Sequence, residues 1–282
     1  MAINCATQVE DDDIRRSPLL KWPGGKRNLV DFIFPLIPVR FNRYFEPFFG
    51  GGALFFALRP EKAYLSDKNV ELMHAYKQVR DQPDAVIERL RRLRNSEEDY
   101  YRTRSSRPRS DATRAARLIY LTTLAFNGIY RVNLNGDFNV PYGYKTHLNP
   151  CDVESVRTAS KLLRRAALRS QDFEKALSLA KEGDLAYLDP PYTVAHGNNG
   201  FIKYNAKIFS WDDQVRLSRV AAELADRGCT VIVSNADHFS IRKLYKDFAV
   251  TVLERTSRIA ASGDFRSRIT ECLFHTGGRD KC

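Results

Sequence analysis

The sequence predicts an α/β fold: a mostly parallel sheet with an antiparallel edge hairpin, interrupted by a helical inserted domain. Three observations lead to it. Short β-rich runs alternate with helical periodicity at both ends of the chain, that alternation stops over residues 71–125, and two late β-rich segments flank a polar stretch.

Residues 1–18 mix Asp, Arg and Ser without apolar periodicity and read as a loosely held N-terminal arm. An aromatic run over residues 44–48 meets Pro47 and the glycines Gly50, Gly51 and Gly52, after which Ala53–Leu58 resumes as apolar helix: strand, glycine turn, helix. A second strand over 63–66 ends at Asp67. Val86, Ile87, Leu90 and Leu93 then recur at helical spacing, as do Ala116, Ile119, Tyr120 and Thr123. Alternation restarts with a helix over Val153–Leu163, a strand over 167–170 leading to Asp172 and Phe173, a helix reaching Lys181, and the strand Leu185–Leu188. A helix over 212–227 and a strand over 230–233 follow. Segments 248–253 and 269–276, joined by residues 255–268, suit an antiparallel hairpin at the sheet edge.

The 282 residues, 43% hydrophobic and 28% charged, suffice for one large domain or for a core domain with one sizeable insertion. The 45 Lys and Arg against 34 Asp and Glu leave a net charge of +11, which predicts attraction to polyanions. Residues 71–149 hold 14 Lys and Arg against 9 Asp and Glu, so this insertion is about twice as basic per residue as the rest. The predicted division is therefore an arm of 1–18, a sheet domain of 19–70 with 150–282, and an insert of 71–149.

Cys5, Cys151, Cys229, Cys272 and Cys282 show no C-x-x-C spacing, so a reducing setting is expected and neither a disulfide framework nor a thiolate zinc site is. His74, His147, His196, His238 and His275 show no metal-ligand spacing. The acidic run from Glu10 to Asp13 stands where a secretory signal needs an apolar core, and Ala53–Leu58 is the longest apolar stretch. The expectation is a cytoplasmic protein without membrane contact.

The sharpest motif is Asp189-Pro190-Pro191-Tyr192, directly after the strand Leu185–Leu188, at the carboxyl end where α/β sheets bind ligands. An amine conjugated to a heteroaromatic ring, as in adenine N6, is a poor nucleophile because its lone pair is delocalised. Two acceptors near the amino hydrogens, the Asp189 carboxylate and the Pro190 carbonyl, would draw that nitrogen toward tetrahedral geometry and aim the lone pair at an electrophile. The prolines supply no N–H and hold the backbone extended. Tyr192 offers a face on which a base can stack, worth about 1–3 kcal/mol. A rigid turn capped by an aspartate would carry the same residues.

The second motif, Phe48-Phe49-Gly50-Gly51-Gly52 with Asp67 at the next strand end, matches nucleoside-cofactor binding: glycines let the backbone approach, and the acid takes ribose hydroxyls. It departs from G-x-G-x-x-G, which favours a single nucleoside over a dinucleotide. A turn that merely packs helix on strand explains the glycines equally. The third, Lys21-Trp22-Pro23-Gly24-Gly25-Lys26, is no Walker loop. A loop with Trp22 in the core and solvated lysines would look the same.

Together with the stretches 126–133 (Phe126-Asn127-Gly128-Ile129-Tyr130-Arg131-Val132-Asn133) and 136–143 (Gly136-Asp137-Phe138-Asn139-Val140-Pro141-Tyr142-Gly143), the Asp213-Gln214 pair ahead of Leu217, and Val233-Ser234-Asn235, these motifs resemble the Dam-type DNA adenine-N6 methyltransferases. The resemblance runs from residue 19 to about 275 and includes the alpha-class D-P-P-Y order. It implies a Rossmann-like methyltransferase sheet, S-adenosylmethionine as methyl donor and no metal. Residues 19–70 with 150–282 would be the catalytic domain, and 71–149 the DNA target-recognition domain. By the same likeness Asp189, Pro190, Pro191 and Tyr192 would be catalytic. Trp22, Lys26, Phe48, Gly50, Gly52, Asp67, Asp172, Phe173 and Asp189 would hold the cofactor, Phe173 packing on its adenine. Asp172 would accept from the exocyclic amine or cap a helix.

Lys21, Asn127, Ile129, Arg131, Asn133 and Pro141 would bind DNA. Arg131 would read a guanine through bidentate major-groove bonds or clamp a phosphate, and Lys21 would touch another base or phosphate. Asn127, Ile129 and Pro141 would wedge or position the duplex while the adenine is flipped, unless Ile129 is a local core residue. The implied target is GATC in double-stranded DNA, in a bacterial or phage-encoded, cytoplasmic and nucleoid-associated protein. A cognate restriction endonuclease of a restriction-modification system would act separately.

The chain departs from the family at the arm 1–18, at Pro23, and at the loop 196–200, beyond which Phe201 and Tyr204 would contact DNA. Cytosine-N4 or RNA adenine methylation shares the amine chemistry and stays open, as does a non-catalytic DNA-binding relative, against which the intact Asp189 and Tyr192 argue. No G-x-S-x-G elbow is present, and Pro150-Cys151 lies at the basic insertion away from the sheet, so direct transfer is expected over covalent catalysis.

Overall fold

The computed structural model of the chain describes residues 19–193, 209–256 and 268–277. The arm 1–18, the loop 196–200 with Phe201 and Tyr204, and most of 255–268 lie outside the described residues.

In chain order the elements are α1 (Val30–Ile33), β1 (Tyr44–Glu46), α2 (Ala53–Leu58), β2 (Ala63–Asp67), α3 (Val70–Asp81), α4 (Pro83–Arg91), α5 (Glu97–Ser105), α6 (Asp111–Leu124) and α7 (Val153–Leu163). There follow β3 (Ala166–Ser170), α8 (Phe173–Leu177), β4 (Leu185–Leu188), α9 (Trp211–Asp226), β5 (Thr230–Ala236), α10 (Phe239–Leu244), β6 (Ala249–Thr256) and β7 (Arg268–His275). The strands form one seven-stranded sheet in the order β3-β2-β1-β4-β5-β7-β6. β1 pairs parallel with β2 and with β4, and β4 parallel with β5, while β7 runs antiparallel to both β5 and β6. The predicted parallel sheet with an antiparallel hairpin at its edge is present.

The described residues divide into two compact units, the first of residues 19–30, 49–61 and 67–170, the second of 31–48, 62–66 and the described part of the chain from 171 on. In the first, the segment read as helical over 71–125 resolves into α3, α4, α5 and α6. Local chemistry sets these starts: the Asn69 side chain accepts from Leu72 N at the head of α3, Ser96 accepts from Asp99 N at α5, and Pro83 occupies the first turn of α4. Leu72, Met73 and Val79 of α3, Val86 and Leu90 of α4, and Tyr120 and Leu121 of α6 are buried. Such apolar stripes at helical spacing stabilise helices this short mainly through packing.

In the second unit β4 and the apolar part of β5 are buried on both faces, which is why they read as continuous apolar runs. Phe45, Leu188, Leu217, Val231, Val233 and Phe274 share its core. α9 starts with a reciprocal capping box between Ser210 and Asp213. Two expectations are corrected. The helix expected to reach Lys181 ends at Leu177, because Asp184 Oδ2 accepts from Lys181 N at 2.8 Å and fixes a turn ahead of β4. β5 runs on through Ser234, Asn235 and Ala236, and the polar side chains of Ser234 and Asn235 are buried because they find partners. Since β1 and β4 are parallel neighbours, Pro47 and Asp189 leave the sheet at the same edge.

Candidate functional site

In the first unit, residues 49–52 turn tightly into α2, with Gly52 N donating to Phe49 O at 2.7 Å. Gly52 holds φ +67°, and a Cβ there would lie 2.5 Å from Phe49 Cε2, so only glycine fits. Asp67 braces this turn: its Oδ2 accepts from Gly50 N at 3.0 Å and its Oδ1 from Asn69 N at 2.8 Å. The Tyr76 hydroxyl donates to Gly50 O at 3.0 Å. Burial pushes the Asp67 carboxyl above its ordinary pKa, against the opposing pull of backbone donors at Asn69, Gly50 and Lys68. Each carboxylate oxygen keeps a second lone pair, so the acid can take hydroxyls while it holds the turn. Trp22 closes over the turn, since a Cβ on Gly50 would stand 3.0 Å from its Cδ1, and its ring stacks on Tyr130 at 4.5 Å. Lys26 is buried just ahead of the short turn Arg27–Leu29.

The same unit carries an exposed loop over residues 125–142, pinched by bridges between Ala125 and Tyr142 and between Val132 and Phe138. Asn127 adopts φ 54°, a left-handed conformation uncommon for residues with a side chain, and Asn127 and its neighbour Phe126 are exposed. Arg131 is exposed, its Nε donating to Asn139 Oδ1 at 2.8 Å. Asn133 Oδ1 accepts from Asn135 N at 3.0 Å and from Asp137 N at 2.9 Å, which holds the tip. Pro141 is exposed while its carbonyl accepts from Phe126 N, and Ile129 is half-buried. Lys21 is exposed with its stem against Gly128. Partial burial, then the charge of Lys145, lower its pKa. Lys21, Asn127, Ile129, Arg131, Asn133 and Pro141 thus belong to this unit, the last five of them on this loop. Leu134, 98% exposed at the tip, and Phe126 were given no role by the sequence, and an apolar side chain between turn-forming polar residues is the signal that marks them.

In the second unit, Asp189 follows β4 half-buried, Pro190 is buried, and Pro191 and Tyr192 are half-buried. Burial raises the Tyr44 and Tyr187 phenols well above their ordinary pKa, and the charge of Asp189 adds to both, so both stay neutral. The Pro191 carbonyl accepts from Gln214 Nε2 at 3.3 Å, and Gln214 Oε1 accepts from Asn235 Nδ2 at 3.0 Å. The Tyr192 hydroxyl lies 3.1 Å from Ser234 Oγ and donates to Glu271 Oε2 at 3.1 Å. Phe48 packs against Phe173 and Phe209, each with ring centroids 5.5 Å away. Asp172 caps α8 through Glu174 N at 3.0 Å and accepts from Arg216 Nη2 at 2.7 Å, and the Arg216 guanidinium lies 4.4 Å over the Phe173 ring. Both Asp172 oxygens therefore hold protein donors.

Residues 22–259 match the model of the family described as D12 class N6 adenine-specific DNA methyltransferase. The chain belongs to this family. It is an adenine-specific DNA methyltransferase built on a Rossmann-like methyltransferase sheet. Among its relatives, the Type II methyltransferase M1.LlaDCHI of Lactococcus lactis subsp. cremoris is 40% identical over 280 residues, spanning 96% of this chain and 99% of the relative. The DNA adenine methylase of Escherichia coli is 30% identical over 90% of this chain and 93% of its own. The DNA N-6-adenine-methyltransferase of an Escherichia phage is 33% identical over 88% of this chain but 34% of its own.

Of the methyltransferase's described residues, no helix is long and apolar enough to cross a membrane, and no three His, Cys, Asp or Glu group as metal ligands. The supports of its D-P-P-Y segment, Gln214, Ser234, Asn235 and Glu271, had no assigned role from sequence. Three of them were legible as family motifs, but Glu271 stands alone in a β-rich run with no motif around it.

Proposed function

We propose that this methyltransferase transfers a methyl group directly from S-adenosylmethionine to N6 of an adenine flipped out of double-stranded DNA, within GATC. The observation that carries the reading is Asp189 at the carboxyl end of β4, its segment fixed by hydrogen bonds at the Pro191 carbonyl and the Tyr192 hydroxyl. The residues suit a nucleoside cofactor on two counts: a turn without side chains braced by an acid with spare lone pairs, and a partly open aromatic cluster at Phe48. Bound S-adenosylmethionine supplies an electrophilic sulfonium methyl. Asp67 takes its ribose hydroxyls, Gly50 and Gly52 give the turn beside it the backbone conformation that places Asp67, and Trp22 and Lys26 flank that turn. Phe48 offers its adenine a face, backed by the buried Phe173, with Asp172 acting here as the cap that fixes Phe173.

Tyr192 stacks the target base, and the Asp189 carboxylate and Pro190 carbonyl accept the amino hydrogens, localising the lone pair on N6. Asp189 is then the first acceptor for the proton that N6 sheds after methylation. On the loop over 125–142, Arg131 reads a guanine, Asn127, Ile129 and Pro141 position the duplex, and the Asn133 amide, with its oxygen tied to the tip, donates to a phosphate. Lys21 contacts a base or phosphate. Residues 71–149 serve as the target-recognition domain of a cytoplasmic, nucleoid-associated protein. A cognate restriction endonuclease that acts separately completes this reading.

Plasmid DNA incubated with the protein and S-adenosylmethionine tests this reading. Protection from a GATC-cleaving nuclease blocked by adenine methylation is expected, and Asp189→Ala abolishes it while leaving DNA affinity within about a few-fold. Full cleavage after incubation with the wild-type protein refutes the GATC assignment, and protection by Asp189→Ala refutes the role of Asp189.

A further inference from the structure

We propose that Glu271 is a positioning residue that fixes the base-stacking ring of Tyr192 through its hydroxyl. The proposal rests on the reading of residues 189–192 as the target-base site. Glu271 is fully buried on β7. A carboxyl group there forfeits its hydration and persists only where donors replace water. Its Oε2 accepts from the Tyr192 hydroxyl at 3.1 Å, with Ser234 Oγ 3.1 Å from the same hydroxyl.

Strand pairing accounts for this convergence. Ala236 of β5 stands opposite Glu271 of β7, and side chains alternate between the faces of a strand. Ser234, Ala236 and Glu271 therefore share one face. Asn235 turns to the other, where its amide donates to Gln214 and the Gln214 amide donates to the Pro191 carbonyl. Asn235, Gln214 and Ser234 are, like Glu271, fully buried. The segment after Asp189 is thus held from both faces of β5, at a carbonyl on one side and at a ring hydroxyl on the other. Phenylalanine would give a base the same aromatic face, so the value of the hydroxyl lies in orientation. An anchored ring loses less torsional freedom when a base stacks on it.

Steady-state methyl transfer to duplex DNA is compared for the full-length wild type, Tyr192→Phe, Glu271→Leu, Glu271→Gln and the double variant Tyr192→Phe/Glu271→Leu, with thermal melting measured alongside. Tyr192→Phe and Glu271→Leu each lower kcat about tenfold while the KM for S-adenosylmethionine stays within about twofold. Glu271→Gln keeps an acceptor oxygen and stays within about threefold of wild type, and the double variant is no worse than Tyr192→Phe, as expected for two ends of one bond. Wild-type kcat in Tyr192→Phe, or a double variant whose loss is the product of the single losses, overturns the proposal. Should Glu271→Leu fail to fold, Tyr192→Phe decides alone by the same criterion. A wild type that methylates no adenine defeats the reading of the site itself, whereas active wild type with an equally active Tyr192→Phe defeats only the positioning role.

Discussion

A single missing methyl group at Gly52 lets the turn after β1 close against Phe49. Gly52→Ala adds a left-handed backbone strain to a Cβ 2.5 Å from the Phe49 ring, so it costs about 2–4 kcal/mol. Urea unfolding measures this, and an unshifted midpoint would contradict it. At this scale the glycines and Asp67 were legible because each motif is local. That Asp67 braces the glycine turn was not legible: its bond to Gly50 N spans 17 residues, and a lone acid at a strand end carries no sign of a donor that far back. Asp172 was readable two ways, and the cap is visible only with the positions of Glu174 N and Arg216 in hand.

Elements were legible where an apolar run and a stop signal coincide. α2, α7 and β4 match their expected bounds for that reason. β5 outran expectation because Ser234 and Asn235 break the apolar run, although partners from α9 and the D-P-P-Y segment satisfy them. For α8, the one-turn helix that carries Phe173, the start depends on Asp172. Asp172→Ala removes the cap and costs about 0.5–2 kcal/mol. Asp172→Asn keeps the cap and loses only the half-exposed ion pair with Arg216, worth about 0–1 kcal/mol. Equal losses in chemical unfolding for the two variants would show that the ion pair, not the cap, holds this element.

For the molecule as a whole, the buried His275 on β7 ties stability to pH. Burial lowers its pKa below the ordinary 6.5, so near pH 6 the unfolded chain binds the proton more readily than the folded one. Its neutral form contributes fully above about pH 6.5, and stability falls as pH drops below that value, by at most about 1.4 kcal/mol per pH unit. The stability difference between wild type and His275→Gln therefore shrinks from pH 7.5 to 5, and a constant difference would contradict the coupling. The family was legible at this scale because the order of its motifs survives in one dimension. The network around Tyr192 was not, since Ser234 and Glu271 lie 42 and 79 residues away along the chain. The central claim is amine methylation of adenine in DNA, and the most direct test follows the methyl group itself. With labelled S-adenosylmethionine and duplex DNA, digestion of the product to nucleosides should place the label in N6-methyladenine. Label in N4-methylcytosine, or none in the DNA, would contradict the account.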